Sequence, residues 1–231
     1  YAMILLIETS AEICSVALCH EGMLMWQKRE DTPMRHSEVL APFIEQALGE
    51  LERRELKLDA VAVSLGPGSY TGLRIGLSEA KGLCFGRDIP LIGVNTLQAL
   101  AVKAMFMSHN WEGDEILIPM IDARRMEVYT AAYDFALNEI MPPQALILDA
   151  DSYSELPEGR KAFFFGSGAE KAKGLFNRPD TEYLKVAPLL ACDLMALAER
   201  SFRHSDFLDV AYSTPFYIKA VHTTKPKDRK F

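Results

Sequence analysis

The sequence predicts an α/β protein made of two consecutive subdomains, each a mixed sheet flanked by helices, and three observations carry that prediction. Short runs rich in apolar and β-branched residues alternate with segments whose apolar positions recur every three or four residues. The first 107 residues read as βββαβαβα, an alternation that requires crossover connections and therefore a sheet with helices packed on it. The polar segment His109 to Glu115, which contains Gly113, then interrupts the pattern before strands begin again. The expected units are 1–108, a smaller and more degenerate 109–218, and a tail at 219–231.

In chain order, 3–7, 12–20 and 23–29 read as strands, the last two joined by a tight turn at Glu21-Gly22. Ser37 is a suitable cap for a helix over 38–50, whose Val39, Leu40, Phe43, Ile44, Ala47 and Leu48 form one apolar face. Asp59 to Leu65 is a short apolar strand running through Gly66-Pro67-Gly68-Ser69 into a helix over 70–86. Pro90 to Val94 is a further strand, and Asn95-Thr96 leads into a helix near 97–107. In the second half, strands are expected at 116–121, 128–135, 145–148, 162–165 and 183–186, with a short helix near 169–175 and a longer one over 189–204. No internal repeat is visible in the letters themselves, although both halves start with strands and end with helices.

Composition limits the function. The chain has 231 residues, 49% of them hydrophobic and 25% charged, enough for a substantial core. A net charge of −7 and a pI near 5.3 argue against a surface that grips nucleic acid by itself, because phosphate binding needs concentrated positive charge. Five Lys/Arg lie within 219–231, where a solvated basic tail is the first reading and a contact with RNA the second. Cys14, Cys19, Cys84 and Cys192 show neither CxxC nor metal-ligand spacing and read as reduced, buried thiols. Tyr1-Ala2 runs straight into Met3–Ile7 without a basic start or a long apolar region, so no export signal is expected and the expected location is cytoplasmic. No apolar run approaches the roughly 20 residues that cross a bilayer.

The most informative segment is Ser64-Leu65-Gly66-Pro67-Gly68-Ser69-Tyr70-Thr71-Gly72-Leu73-Arg74. Glycines between strand and helix permit positive φ and close backbone approach, and a helix start can hold an anion. The segment is neither a Walker loop nor GxGxxG; it reads first as a tight structural turn, with a phosphate site as the alternative. In the next helix Gly72, Gly76 and Ala80 recur every four residues, which suits either close packing on the chain's own sheet or a partner helix. Glu8-Thr9-Ser10 ends the first strand with a carboxylate and two hydroxyls. His36 has no partner at metal-binding spacing and reads as a surface or cap residue, no serine lies in GxSxG, and Asp122-Ala123-Arg124 sits at a strand turn where a salt bridge is the first reading.

Several of these segments, taken together and in order, resemble the TsaB (YeaZ) family. They are Ile4-Leu5-Leu6-Ile7-Glu8-Thr9-Ser10, Cys14-Ser15-Val16-Ala17-Leu18, His36-Ser37, the specific Gly66 to Gly76 segment GPGSYTGLRIG, Ala80-Lys81-Gly82-Leu83, Ile92 to Leu97, and Ile121-Asp122-Ala123-Arg124 with Glu127-Val128-Tyr129. The match is strong over 4–130 and thinner beyond, apart from Phe164 to Gly168 and Pro215 to Lys219. The resemblance implies two actin-like (ASKHA, RNase H-like) subdomains. It implies a paralogue of the transferase TsaD without the HxxxH metal pair, with no catalytic residue, no metal and no cofactor, weak ATP or ADP binding being the most its cleft retains. The implied role is assembly with TsaD and TsaE for threonylcarbamoyl transfer to adenosine 37 of tRNA (t6A), with tRNA held indirectly through the complex, no membrane contact, and a homodimer when alone. Carried over, the pairing surface is formed by the first two helices, with Val39, Phe43, Gly72, Leu73, Arg74, Gly76, Leu77 and Ala80, and the vestigial nucleotide cleft by Glu8, Thr9, Gly66, Gly68 and Asp122. Glu8 stands where many members have Asp, which displaces any magnesium-linked contact. The alternatives are an actin-like ATPase or glycoprotease-type hydrolase and, disfavoured by the acidic balance, a direct tRNA-binding module.

Overall fold

In the computed structural model, which describes residues 2–107 and 109–218, the central strand β1 (Met3–Glu8) is buried on both faces. Successive side chains of a strand point to opposite sides, so Ile4 and Leu6 face one apolar layer while Met3, Leu5 and Ile7 face another. That is why the strand reads as a continuous hydrophobic run rather than an alternating one.

Strands β2 (Cys14–His20) and β3 (Met23–Glu30) follow antiparallel. Helix α1 (His36–Arg53) then crosses to β4 (Ala60–Gly66), parallel to β1, and α2 (Tyr70–Arg87) crosses to β5 (Leu91–Asn95). The sheet order is β3-β2-β1-β4-β5. Asn95 caps α3 (Thr96–Met105) by accepting the amides of Leu97 (2.8 Å) and Gln98 (3.2 Å).

The second sheet contains β6 (Ile116–Asp122), β7 (Glu127–Tyr133), β8 (Glu139–Ile147), β9 (Ala162–Phe165) and β10 (Thr181–Leu184). Its order is β10-β9-β6-β7-β8, with the antiparallel pairs between β6, β7 and β8 and the parallel pairs between β6, β9 and β10. Strand for strand, this repeats the first sheet, a repeat the letters of the sequence hide. The architecture is the expected pair of actin-like (ASKHA, RNase H-like) subdomains, mixed sheets flanked by helices.

Four elements differ from expectation. Strand β8 runs through Pro142-Pro143, which a central strand would not tolerate, but β8 is an edge and needs fewer ladder bonds. The strand expected at 183–186 lies two residues earlier. The helix expected near 169–175 is only the 3₁₀ turn Glu170–Ala172, cut short before Gly174, whose φ is +73°. The helix expected over 189–204 is a 3₁₀ turn, Ala191–Leu194, continuing into α4 (Met195–His204).

The segment 109–218 supplies the second sheet, and its last elements cross back onto the first. The Ala191 amide donates to Ser15 Oγ (2.8 Å) and the Cys192 amide to Gln27 Oε1 (3.2 Å), while α4 packs against β1 and β5. Helices α3 and α4 thus share a central layer with the inner faces of both sheets, including Ile4, Leu6 and Ile92 from the first and Leu117, Phe163 and Phe165 from the second. Each such side chain contributes roughly 1.5–3 kcal/mol on burial. Helices α1 and α2 cover the outer face of the first sheet. The expected basic tail, 219–231, lies outside the described residues.

Candidate functional site

Two regions hold the residues singled out by sequence: the ends of β1 and β6, which carry Glu8 and Asp122, and the helix pair α1/α2.

At the first, Glu8 is fully buried and Oε1 accepts the Ser10 amide at 2.6 Å, while Oε2 has no partner. Burial pushes its carboxyl above the ordinary range, against the lowering effect of the Ser10 hydrogen bonds. The Thr9 amide donates to Ser64 Oγ (3.3 Å), and the Ser69 amide donates to the Ser10 carbonyl (2.7 Å). A Cβ at Gly68 would collide with that same carbonyl. Gly66 has φ +110°, and an added Cβ there would lie 3.0 Å from the Phe216 carbonyl. Gly66 and Gly68 therefore make room for the chain's own backbone, the tight-turn reading of this loop.

Asp122, at the equivalent end of β6, is half exposed. Its Oδ1 accepts Lys171 Nζ (2.6 Å) and the Arg124 amide (2.7 Å), and these contacts, Lys171 foremost, hold its carboxyl below the ordinary range. Lys171 also donates to the carbonyls of Arg125 (2.8 Å) and Glu127 (2.6 Å), clamping a turn in which Arg124 and Arg125 both adopt left-handed conformations, φ +70° and +47°. A salt bridge is found at this turn, but its cation is Lys171, while Arg124 meets Asp122 through its backbone amide. Two surface cavities, one beside Leu51, Leu56 and Arg87 and one beside Ser152, Glu158 and Arg178, include none of the five cleft residues.

Nucleophilic and metal chemistry find little support among the described residues. Burial pushes the thiols of Cys14 and Cys19 up to about 12 and that of Cys84 to about 11, far from the reactive thiolate range. His36, expected at the surface or in the cap region, is the first residue of α1 and is buried; burial lowers its pKa, opposed by hydrogen bonds to the backbone of Ala11 and Ile13. Among the described residues, no three His, Cys, Asp or Glu side chains gather into a group able to hold a metal, and no helix is long and apolar enough to cross a membrane.

On the helix pair, Val39, Phe43, Gly72, Leu73, Gly76, Leu77 and Ala80 are all buried within the chain, and Arg74 alone is exposed. A Cβ at Gly72 would strike the Thr9 carbonyl and one at Gly76 would strike Thr9 Oγ1. The Gly72/Gly76 spacing therefore serves close packing on the β1–β2 loop, and a bulky residue at Gly76 disturbs folding before it can report on any partner. The outward stripe of α2 is a different one: Ser78, Gly82, Phe85 and Gly86 are exposed, nothing lies within 4 Å of a Cβ added at Gly82 or Gly86, and Phe85 keeps 81% of its surface. On α1, Ala41, Pro42 and Gly49 are exposed as well, with Gly49 equally open. Sequence reasoning missed it; the signal was a lone phenylalanine between two glycines on the helix face opposite the apolar one.

Comparison with known proteins places this geometry. A family model described as "TsaD: tRNA N6-adenosine threonylcarbamoyltransferase" matches residues 30–225. The chain is 33% identical over 167 residues to the tRNA threonylcarbamoyladenosine biosynthesis protein TsaB of Bacillus subtilis, covering 71% of this chain and 70% of that one. It is 38% identical over 130 residues to the TsaB of Escherichia coli, and there the match spans 56% of this chain and only 54% of the relative. Among solved structures, "YeaZ from Pseudomonas aeruginosa" superposes with a TM-score of 0.73 at 28% identity, covering 94% of this chain and 100% of that one. A second Pseudomonas aeruginosa structure, an uncharacterized protein with similarity to peptidase YEAZ, superposes with a TM-score of 0.79 at 27% identity, covering 95% and 100%.

Proposed function

We propose, since the chain belongs to the TsaD (tRNA N6-adenosine threonylcarbamoyltransferase) family and to the TsaB proteins within it, that it serves threonylcarbamoyladenosine synthesis at adenosine 37 of tRNA as a non-catalytic subunit. It pairs with a TsaD protein through the outer faces of α1 and α2, TsaE joins the pair, and the same faces form a homodimer when the chain is alone. It carries no catalytic residue and needs no cofactor of its own.

The observation that carries the pairing is Phe85, 81% exposed and flanked by the open Gly82 and Gly86. A large aromatic ring projecting from a surface of small residues is the shape of an interface anchor, because the small residues admit a second helix closely and the ring then fills its groove. Two features support the absence of catalysis. The loop that would cradle a phosphate is filled by Ser10 and the Phe216 carbonyl, and both cleft carboxylates are engaged, Glu8 by the Ser10 amide and Asp122 by Lys171.

The test is co-purification with the TsaD protein of the same organism, followed by t6A synthesis with this chain included or omitted. Product should require both proteins, and Phe85→Glu should weaken pairing at least a hundredfold while leaving the melting temperature within about 2 °C, since an exposed side chain contributes little to folding. Full synthesis without the chain overturns the role; unweakened pairing by the Phe85 variant overturns the surface.

A further inference from the structure

The turn that joins β6 to β7 carries two arginines where its backbone favours smaller residues. Arg124 and Arg125 have φ of +70° and +47°, and two successive positive φ values ordinarily select Asn-Gly or Gly-Gly in a short hairpin loop. The Ala123 amide donates to the Glu127 carbonyl (3.1 Å) and the Glu127 amide to the Arg124 carbonyl (3.1 Å), which closes the turn. Asp122 and Lys171 hold it further, but they meet only the backbone of the two arginines, at the Arg124 amide and the Arg125 carbonyl. Both arginines are exposed, and among the described residues neither guanidinium takes part in a hydrogen bond or an ion pair.

Guanidiniums that bond to nothing within the chain do not hold the turn, and Asn-Gly would adopt the same φ values with less strain. What the arginines contribute therefore lies outside the molecule. Beside them Met126 keeps 43% of its surface and Ile147 keeps 69%. The Leu148 amide donates to the Met126 carbonyl (2.7 Å), and Ile147 stands in register with Glu127, so both apolar residues sit at the same end of the hairpin as the arginines.

Two free guanidiniums suit carboxylates, which the planar fork takes through paired hydrogen bonds, and two exposed aliphatic side chains suit an apolar group. RNA would meet the cations but would set phosphates and sugars against Met126 and Ile147, and a long polyanion is repelled by a chain whose net charge is −7. A short acidic stretch of polypeptide with an apolar residue among its carboxylates meets both halves of the surface.

We propose that this turn docks such a segment of a partner protein, its carboxylates on Arg124 and Arg125 and its apolar side chain against Met126 and Ile147. The Lys171 clamp then serves recognition, because a turn fixed before binding loses little conformational freedom when it is engaged. The surface belongs to the second sheet and does not depend on the pairing proposed for α1 and α2.

The probe is a fluorescein-labelled peptide of about eight residues in which Leu alternates with Glu-Glu, titrated with the full chain at about 50 mM salt and read by anisotropy. The double variant Arg124→Asn, Arg125→Gly should weaken binding at least tenfold, and Ile147→Ser should weaken it about fivefold. Because Asn and Gly suit the backbone, the double variant should melt no more than about 2 °C below the natural chain. A clearly lower melting temperature would mean that the arginines serve the fold, and the proposal would fall. It would fall equally if the double variant kept the peptide, if the natural chain did not bind it, or if an oligouridine of the same length bound as tightly, which would make the partner a nucleic acid.

Discussion

At the scale of single residues, Glu8 shows how position alters chemistry. In an open cleft its carboxylate would be hydrated and ionised; at the end of β1 it is sealed, with one oxygen on the Ser10 amide and the other without a partner. Burial raises its pKa in the folded chain above the ordinary 4.5, so the native state holds the proton more tightly than the unfolded chain does. Its contribution to stability is therefore complete below 4.5 and is lost as pH rises through the elevated folded value. Glu8→Gln keeps an oxygen for the Ser10 amide and cannot ionise. Urea denaturation across pH 4 to 9 should show this variant matching the natural chain at the acidic end and exceeding it at the alkaline end; parallel curves would refute the buried-acid account. The presence of a carboxylate after β1 was legible in the sequence, but its burial was not. Nor were the groups that act on it beyond its neighbours: Ser64 from β4 lowers its pKa by hydrogen bonding and the charge of Asp193, from the far end of the chain, raises it.

At the scale of elements, the turn between β6 and β7 is held by a single side chain, Lys171, that bonds to it at three points. Two successive non-glycine residues in the left-handed region cost roughly 1–2 kcal/mol each, and the three hydrogen bonds from Lys171 offset that cost. Lys171→Ala should lower stability by about 1–3 kcal/mol, whereas Asp122→Asn should cost less than about 1 kcal/mol, because Asp122 is only one of the three acceptors and is well solvated. Chemical denaturation of both variants settles the order, and an equal or larger loss in Asp122→Asn would refute the clamp. The strands and helices of the first half were legible because each carries its own periodicity, from Val39 to Ala47 on α1 or from Ile4 to Ile7 on β1. Strand β8 was read short because Pro142 and Pro143 argue against a strand, and only its place at the sheet edge reconciles them with one. The Gly72/Gly76 spacing correctly announced a close approach; spacing alone cannot say whether the approaching group is a partner or Thr9 of the same chain.

At the scale of the whole molecule, two similar halves with the same sheet order share one central apolar layer. The repeat escaped the sequence because the second half lacks counterparts of α1 and α2: loops and the short Glu170–Ala172 turn replace them, and the helical spacing disappears with them. The two tryptophans report on the halves separately. Trp26 lies on β3 against the outer layer of the first sheet, and Trp111 packs on Phe163 of the second at 5.0 Å. Single-tryptophan variants, Trp26→Phe and Trp111→Phe, should give denaturation curves in which each remaining reporter follows the same midpoint as the far-ultraviolet signal of its own variant. A reporter that melts apart from its backbone signal would mean that the halves unfold independently.

The return of Ala191–His204 to the first sheet also bears on synthesis. Ribosomes deliver the chain from its N-terminus, so β1 to β5 emerge long before the turn and helix that cover part of their inner face. Ser15 Oγ waits some 176 residues for the Ala191 amide. Until then the nascent first sheet presents Ile4, Leu6 and Ile92 without their final cover, and this interval of translation is when the chain has most need of a chaperone.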